Sequence, residues 1–159
     1  MPGKRAPASA GRMHLQAEAL LFFKLVRVVN LTARPFVETL SRKHHLSLNE
    51  WRAMVVLASH PGVAAREIAE HTGLDKMSVS RAIAALFRHD RIRKEADLGD
   101  ARRTRLWLTD SGTDLFEAIG SSASVRGAQL FAGISRGEQQ QLGQTIDRLL
   151  AALQTSETE

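Results

Sequence analysis

The chain has 159 residues, no cysteine, and 22 Lys and Arg against 17 Asp and Glu, a formal net charge of +5. That length makes one domain, or one small domain with an assembly element, and 43% hydrophobic residues suffice for a packed core. Without thiols there is no disulfide scaffold, thiolate zinc site or thiol redox sensor, and the basic balance fits a polyanionic partner without requiring one.

Residues 1–12, which include MPGKRAPASAG, read as a flexible tail. The longest apolar run, 20-LLFFKLVRVVNL-31, is interrupted by Lys24 and Arg27. It is too short for a membrane span and starts too late for a secretory leader, so a cytoplasmic protein without membrane contact is expected. Residues 13–45 form a helical region that is apolar almost all round, through Leu20 to Phe23, Leu25, Val26, Val28 and Val29. Such a helix must be covered from more than one side, and in so short a chain the second cover is another subunit. Pro35 is expected to kink or divide it after Asn30, because proline removes a backbone donor and crowds the preceding turn.

The segment 47-SLNEWRAMVVLASHPG-62 opens with Ser47 and Glu50 in capping-box spacing and stops at Pro61-Gly62. A short helix follows over 66-REIAEHTGL-74, closed by Gly73, and Asp75 caps the next, 76-KMSVSRAIAALFRHD-90. Val79, Ile83, Leu86 and Phe87 are assigned to its buried face by their spacing. Short helix, glycine turn and second helix make a helix-turn-helix. Next, 91-RIRKEAD-97 and 103-RTRLWLT-109 pair as a charged hairpin around 98-LGDAR-102. Thr109 caps a long helix whose inner face carries Leu115, Phe116, Ile119, Ala123, Leu130 and Phe131. Ser135 and Glu138 box the last helix, with a stripe of Leu142, Ile146, Leu149, Leu150 and Leu153.

Catalytic signatures are missing: there is no P-loop, dinucleotide fingerprint or HExxH zinc motif, and 120-GSSAS-124 lacks the last glycine of a nucleophile elbow and lies in a helical pattern. Neither an enzyme nor a cofactor is implied. The six histidines form no i, i+4 pair, and Asp97 and Asp100 are too few carboxylates for a calcium loop, so no metal is expected. The second helix of the pair offers Lys76, Ser78, Ser80 and Arg81 near one exposed face, with Met77 able to touch a thymine methyl. A capped, solvated helix end would explain that pattern equally well. The hairpin shifts the balance, because Arg102, Arg103 and Arg105 lie at or beside its tip, where guanidinium arms can enter a minor groove. A winged-helix module for protein interaction or assembly, with an incidental basic face, is the alternative.

Three stretches, 48-LNEWRAMVVLA-58, 68-IAEHTGLDKMSVSRAIAAL-86 and the wing signature Asp100-x-Arg102 leading to 108-LTDSG-112, resemble the MarR (multiple antibiotic resistance regulator) family. The resemblance implies a mainly α fold with a small β-hairpin wing: a winged helix-turn-helix core over 46–112 between dimerisation elements at 13–45 and 113–155. It further implies a homodimer that reads a pseudo-palindromic site in double-stranded DNA. On that reading Lys76, Met77, Ser78, Ser80 and Arg81 are recognition-helix contacts, Arg102 and Arg103 are wing-tip contacts with Arg105 the least certain of the set, and Asp100 braces the wing arginines. The family also implies a repressor released by a small effector, an aromatic acid or phenol, with His14, Arg34, His44, His45, Trp51 and Arg52 as candidate ligand groups. Trp51 is equally expected as a core residue, and the two histidines end a helix, where cations are favourable. Two positions depart from the family pattern. Ala64 stands where a Ser or Thr cap is frequent, and His89-Asp90-Arg91 replaces a glycine and an apolar residue, putting Asp90 in a left-handed turn and leaving Arg91 more exposed.

Overall fold

The computed structural model describes residues 16–97, 99–100 and 103–156, so the tail expected over 1–12 lies outside the described residues. The elements are α1 (Ala17–His44), α2 (Leu48–Ser59), α3 (Ala65–Thr72), α4 (Lys76–Arg88), β1 (Ile92–Ala96), β2 (Thr104–Leu108), α5 (Asp110–Leu130) and α6 (Arg136–Ser156). The fold is mainly helical with one antiparallel hairpin, the winged arrangement read from the sequence. Two compact units divide between Trp51 and Arg52.

In the first unit, α1 runs without a break for 28 residues with Pro35 inside it, so the expected division after Asn30 does not occur. Proline forfeits one backbone bond to Leu31, a loss a long helix absorbs while the rest of its ladder is intact. Thr32 Oγ1 donates to the Val28 carbonyl at 2.8 Å, and Thr39 Oγ1 donates to the Pro35 carbonyl at 3.0 Å. The apolar face of α1 is bare: Phe22 is 68% exposed, and Leu20, Leu21, Phe23, Leu25, Val26, Val28, Val29 and Leu31 are exposed as well. The box at the start of α2 forms as read, with the Glu50 N–H donating to Ser47 Oγ at 3.2 Å and Ser47 Oγ donating to Glu50 Oε1 at 2.7 Å.

The second unit packs Met54 and Leu57 of α2, Ile68 of α3, Val79, Ala82, Ile83 and Leu86 of α4, Ile92 and Leu106 of the hairpin and Ile119 of α5 into one core. Burying each large aliphatic side chain there contributes roughly 1.5–3 kcal/mol. Phe87 is not among them. It is 51% exposed, and Lys94 Nζ sits 4.3 Å from its ring centre. Ala82, three residues after Val79 and four before Leu86, takes the inner place instead. In the hairpin, Ile92 pairs with Leu108, Lys94 with Leu106, Glu95 with Arg105 and Ala96 with Thr104. The chain before α3 adds a short third lane: the Gly62 N–H donates to the Leu106 carbonyl at 2.9 Å, and the Leu106 N–H to the Val63 carbonyl at 3.1 Å.

Thr109 caps α5, accepting the Gly112 N–H on its hydroxyl at 3.0 Å and donating that hydroxyl to the Asp90 carbonyl at 2.7 Å. Asp90 holds a φ of +54°, the left-handed turn anticipated for it, and Arg91 is half-buried. Of the inner face assigned to α5, only Ile119 is buried; Leu115, Phe116, Ala123 and Phe131 are half-buried, and Leu130 is 47% exposed. The α6 box between Ser135 and Glu138 forms, while its stripe of Leu142, Ile146, Leu149, Leu150 and Leu153 stays exposed.

Candidate nucleic-acid interface

The helix pair turns tightly because Gly73 takes a φ of +66° and sends its N–H back to the Ala69 carbonyl at 2.9 Å. At α3, Ala64 has no side-chain acceptor, but Glu67 Oε2 accepts the Ala64 N–H at 2.9 Å, so half of a capping box survives. At α4, Asp75 accepts the Ser78 N–H at 2.9 Å and the Ser78 hydroxyl at 2.6 Å. Those bonds, the hydroxyl's first, hold the Asp75 carboxyl below the usual carboxylate range. Ser78 is thereby drawn into the cap, and its oxygen also lies 3.4 Å from an Arg81 guanidinium nitrogen. Ser78 thus supports Arg81 more directly than it offers a donor of its own.

Lys76, Met77, Ser80 and Arg81 are exposed on the first turns of α4, Met77 by 63%. The buried positions Val79, Ala82, Ile83 and Leu86 fix which way that exposed face turns. A helix end with outward ammonium, guanidinium, hydroxyl and thioether groups can engage phosphate oxygens, base edges and a methyl group.

Of the three wing arginines, Arg102 lies outside the described residues and Arg103 is exposed, its N–H donating to the Asp100 carbonyl at 2.8 Å and its carbonyl accepting the Asp97 N–H at 2.9 Å. Arg105 differs from the tip cation anticipated. Its Nε donates to Asp97 Oδ2 at 2.5 Å, a terminal nitrogen donates to the Gly62 carbonyl at 3.0 Å, and Glu67 Oε2 lies 3.7 Å away. The brace of the wing is therefore Asp97 as well: its other oxygen accepts the Gly99 and Asp100 N–H groups at 2.8 and 3.2 Å. Arg105 first, then those backbone donors, pull the Asp97 carboxyl below its ordinary value, while Asp97 raises the Arg105 guanidinium. Asp100, expected as the brace, contributes its carbonyl to the turn.

An open groove of about 590 Å³ separates α3, the start of α4 and the wing, lined among others by Arg66, Lys76, Ser80, Lys94 and Leu106. Lys94 and Arg66 were missed in the sequence. The pairing of Lys94 with Leu106 brings it beside α4, and strand alternation is the signal that could have found it. On the opposite strand face, the Arg93 guanidinium stacks 4.7 Å from the Trp107 ring centre and pairs with Glu95.

His14 lies outside the described residues. Arg34 is exposed on α1, His44 is its half-buried last residue, and His45 follows in a left-handed conformation at φ +47°. Trp51 is buried, with its ring edge-on to Phe36 at 5.7 Å, and Arg52 is half-buried on α2. Among the described residues, no group of three or more His, Asp or Glu side chains is placed to hold a metal ion, and no helix is long and apolar enough to cross a membrane.

A family model described as MarR family matches residues 44–103. An uncharacterized HTH-type transcriptional regulator of Staphylococcus aureus strain Mu50 is 28% identical over 89 residues, covering 54% of this chain and 61% of that protein, so the match spans about three-fifths of the relative's length. Among solved structures, a MarR/EmrR family transcriptional regulator from Acinetobacter sp. ADP1 has a TM-score of 0.79 at 23% identity, over 89% of this chain and 99% of that one. The S. aureus MepR–DNA complex has a TM-score of 0.75 at 21% identity, over 87% and 99%. The PcaV regulator of Streptomyces coelicolor, in complex with its natural ligand, has a TM-score of 0.70 at 22% identity, over 87% and 94%. At these identities the structural likenesses establish the fold.

Proposed function

We propose that the chain is a transcriptional regulator of the MarR family, whose model matches residues 44–103, and that it binds a pseudo-palindromic site in double-stranded DNA as a homodimer and represses transcription until a small effector releases it. The observation that carries this reading is the exposed face of the first two turns of α4, where Lys76, Met77, Ser80 and Arg81 stand outward while Val79, Ala82, Ile83 and Leu86 lock the helix from behind. Lys76, Met77, Ser80 and Arg81 supply the major-groove contacts, with Ser78 holding Arg81; Arg103 and its neighbour Arg102 supply the wing contacts. The MepR structure, a DNA complex of the same fold, supports the assignment.

The homodimer rests on the bare apolar faces of α1 and α6 and of the distal part of α5, surfaces that a soluble monomer rarely exposes in such extent. The PcaV structure, which holds its natural ligand, supports an effector-responsive role. The effector is an aromatic acid or phenol, for which Arg34, His44, His45, Arg52 and His14 offer cationic groups and Trp51 an aromatic face. Such a protein works in the cytoplasm.

The test is binding to a duplex of about 30 base pairs from the promoter of the protein's own gene, long enough for two half-sites one helical turn apart. Binding of that duplex at least a hundredfold tighter than a scrambled one at physiological salt is the expected result. Equal affinities that collapse together as salt rises would overturn the reading in favour of an assembly module with an incidental basic face. A thermal-shift screen of aromatic carboxylates and phenols, repeated with the duplex, tests the effector: a compound that stabilises the protein and releases the DNA is expected.

A further inference from the structure

We infer that Arg105 is a positioning residue of the DNA-binding surface, one that sets the wing against the helix-turn-helix without itself touching DNA. The inference rests on the regulator reading above and deepens it. Three separate parts of the second unit converge on this one guanidinium. Asp97, at the end of β1, accepts from Nε at 2.5 Å; the Gly62 carbonyl, in the loop before α3, accepts from a terminal nitrogen at 3.0 Å; and Glu67, in the first turn of α3, lies 3.7 Å away. Both carboxylates have structural duties of their own. Asp97 also gathers the Gly99 and Asp100 N–H groups and so shapes the turn that leads to Arg103. Glu67 also closes the start of α3 through the Ala64 N–H.

The backbone around Arg105 is fixed on both sides. Its neighbour Leu106 is buried and shares two backbone bonds with Gly62 and Val63, and Arg105 itself is paired across the hairpin with Glu95. The side chain is about one-third exposed, and its donors are turned to the Asp97 and Gly62 oxygens. A guanidinium can hold two acceptors in a fixed plane; an ammonium of equal charge cannot reproduce that fork. The attitude of the wing to α3, and through it the place of Arg103, depends on the shape of this group more than on its charge.

That distinction gives the test, with Arg105→Lys as the main variant and Asp97→Asn as an independent break of the same node. Affinity for the promoter duplex is measured across a salt titration, and hydrogen exchange of the wing peptide, residues 92–108, is followed without DNA. Circular dichroism melting confirms that each variant folds. Both variants are expected to exchange faster in the wing and to bind about tenfold more weakly, with the salt slope of the wild type, because the wing still reaches the duplex but must first be ordered. The double variant is expected to bind no more weakly than either single one. Wild-type affinity in Arg105→Lys with unaltered wing exchange would overturn the inference, as would a salt slope lowered by about one in Arg105→Leu with the wing still protected, the mark of a direct phosphate contact. Faster exchange with undiminished affinity would reduce Arg105 to a structural role and overturn it too. A wild-type protein that does not distinguish the promoter duplex from a scrambled one would instead remove the regulator reading, and the positioning role with it.

Discussion

Gly112 and Arg91 meet so closely that a Cβ on Gly112 would stand 2.0 Å from the Arg91 carbonyl oxygen. That carbonyl accepts the Thr109 N–H at 3.1 Å, and Thr109 caps the helix that contains Gly112. The turn after α4 and the start of α5 are thus joined backbone to backbone. Gly112→Ala is expected to destabilise the protein by about 1–3 kcal/mol or more, since both colliding groups are main chain and neither can swing aside. Gly120, further along α5, has nothing within 4 Å of the same construction. There the same substitution is expected to stabilise by roughly 0.5–1 kcal/mol, the helix-propensity gain. Denaturant melts of the two variants read the difference, and a loss at Gly120 would place a second subunit against that side of α5.

Acid is expected to loosen the caps and the wing together. Asp75, Asp97 and Glu138 all have carboxyls held below their ordinary values by hydrogen bonds, to Ser78, Arg105 and Ser135 in the first place. Each is deprotonated more readily in the folded chain than in the unfolded one. The stability they contribute is therefore fully present above the ordinary values of 3.8 for aspartate and 4.5 for glutamate, and is lost as pH falls through the lower folded-state values. Melting temperature followed from pH 7 down to about pH 3 checks this, and the decline should be shallower in Asp97→Asn and in Glu138→Gln. A decline of wild-type steepness in both would show that other groups govern acid unfolding.

Two arginines are expected to fail differently on DNA. Arg81→Ala removes the α4 group proposed to meet base edges, and should cost about 1–3 kcal/mol on the promoter duplex with little change on a scrambled one. Arg103→Ala removes a wing cation, and should weaken both duplexes alike while lowering the salt slope by about one. Matching losses and matching slopes for the two variants would contradict the division of labour between helix and wing.

Phe22→Lys is expected to separate the protein into monomers. The ring is 68% exposed in the single chain, so the substitution disturbs no packing within it. Covered by a second copy, each ring would contribute roughly 1.5–3 kcal/mol, and a twofold dimer loses two of them. Sedimentation at micromolar concentration distinguishes the outcomes, and an unchanged mass would exclude this face of α1 from the interface.

The parts of the fold that could be read from the sequence are those whose causes lie within a few residues. Ser47 with Glu50, Asp75 with Ser78, Thr109 with Gly112 and Ser135 with Glu138 each join partners three residues apart, and all four helix starts fall where that spacing puts them. The outward face of α4 followed from the same locality, since its apolar positions dictate which side is left for solvent. The role of Arg105 did not, because one of its partners is eight residues away and another 43. Nor did the exposure of Phe87, which helical spacing alone could not separate from that of Leu86. Pro35 fails to divide α1 for the opposite reason: the local rule is sound, but one missing bond is small against the length of the helix.

Because α5 leaves β2 after a single residue, the wing stands at the root of a rod 21 residues long. At 1.5 Å per residue that rod reaches about 31 Å, so a tilt of about five degrees at its root sweeps its far end through roughly 2.7 Å. The close approach of Gly112 to Arg91 sits at that root. The same geometry holds in reverse: for a straight rod, a small sideways displacement of the distal turns of α5 corresponds to a tilt of a few degrees at the end beside the wing.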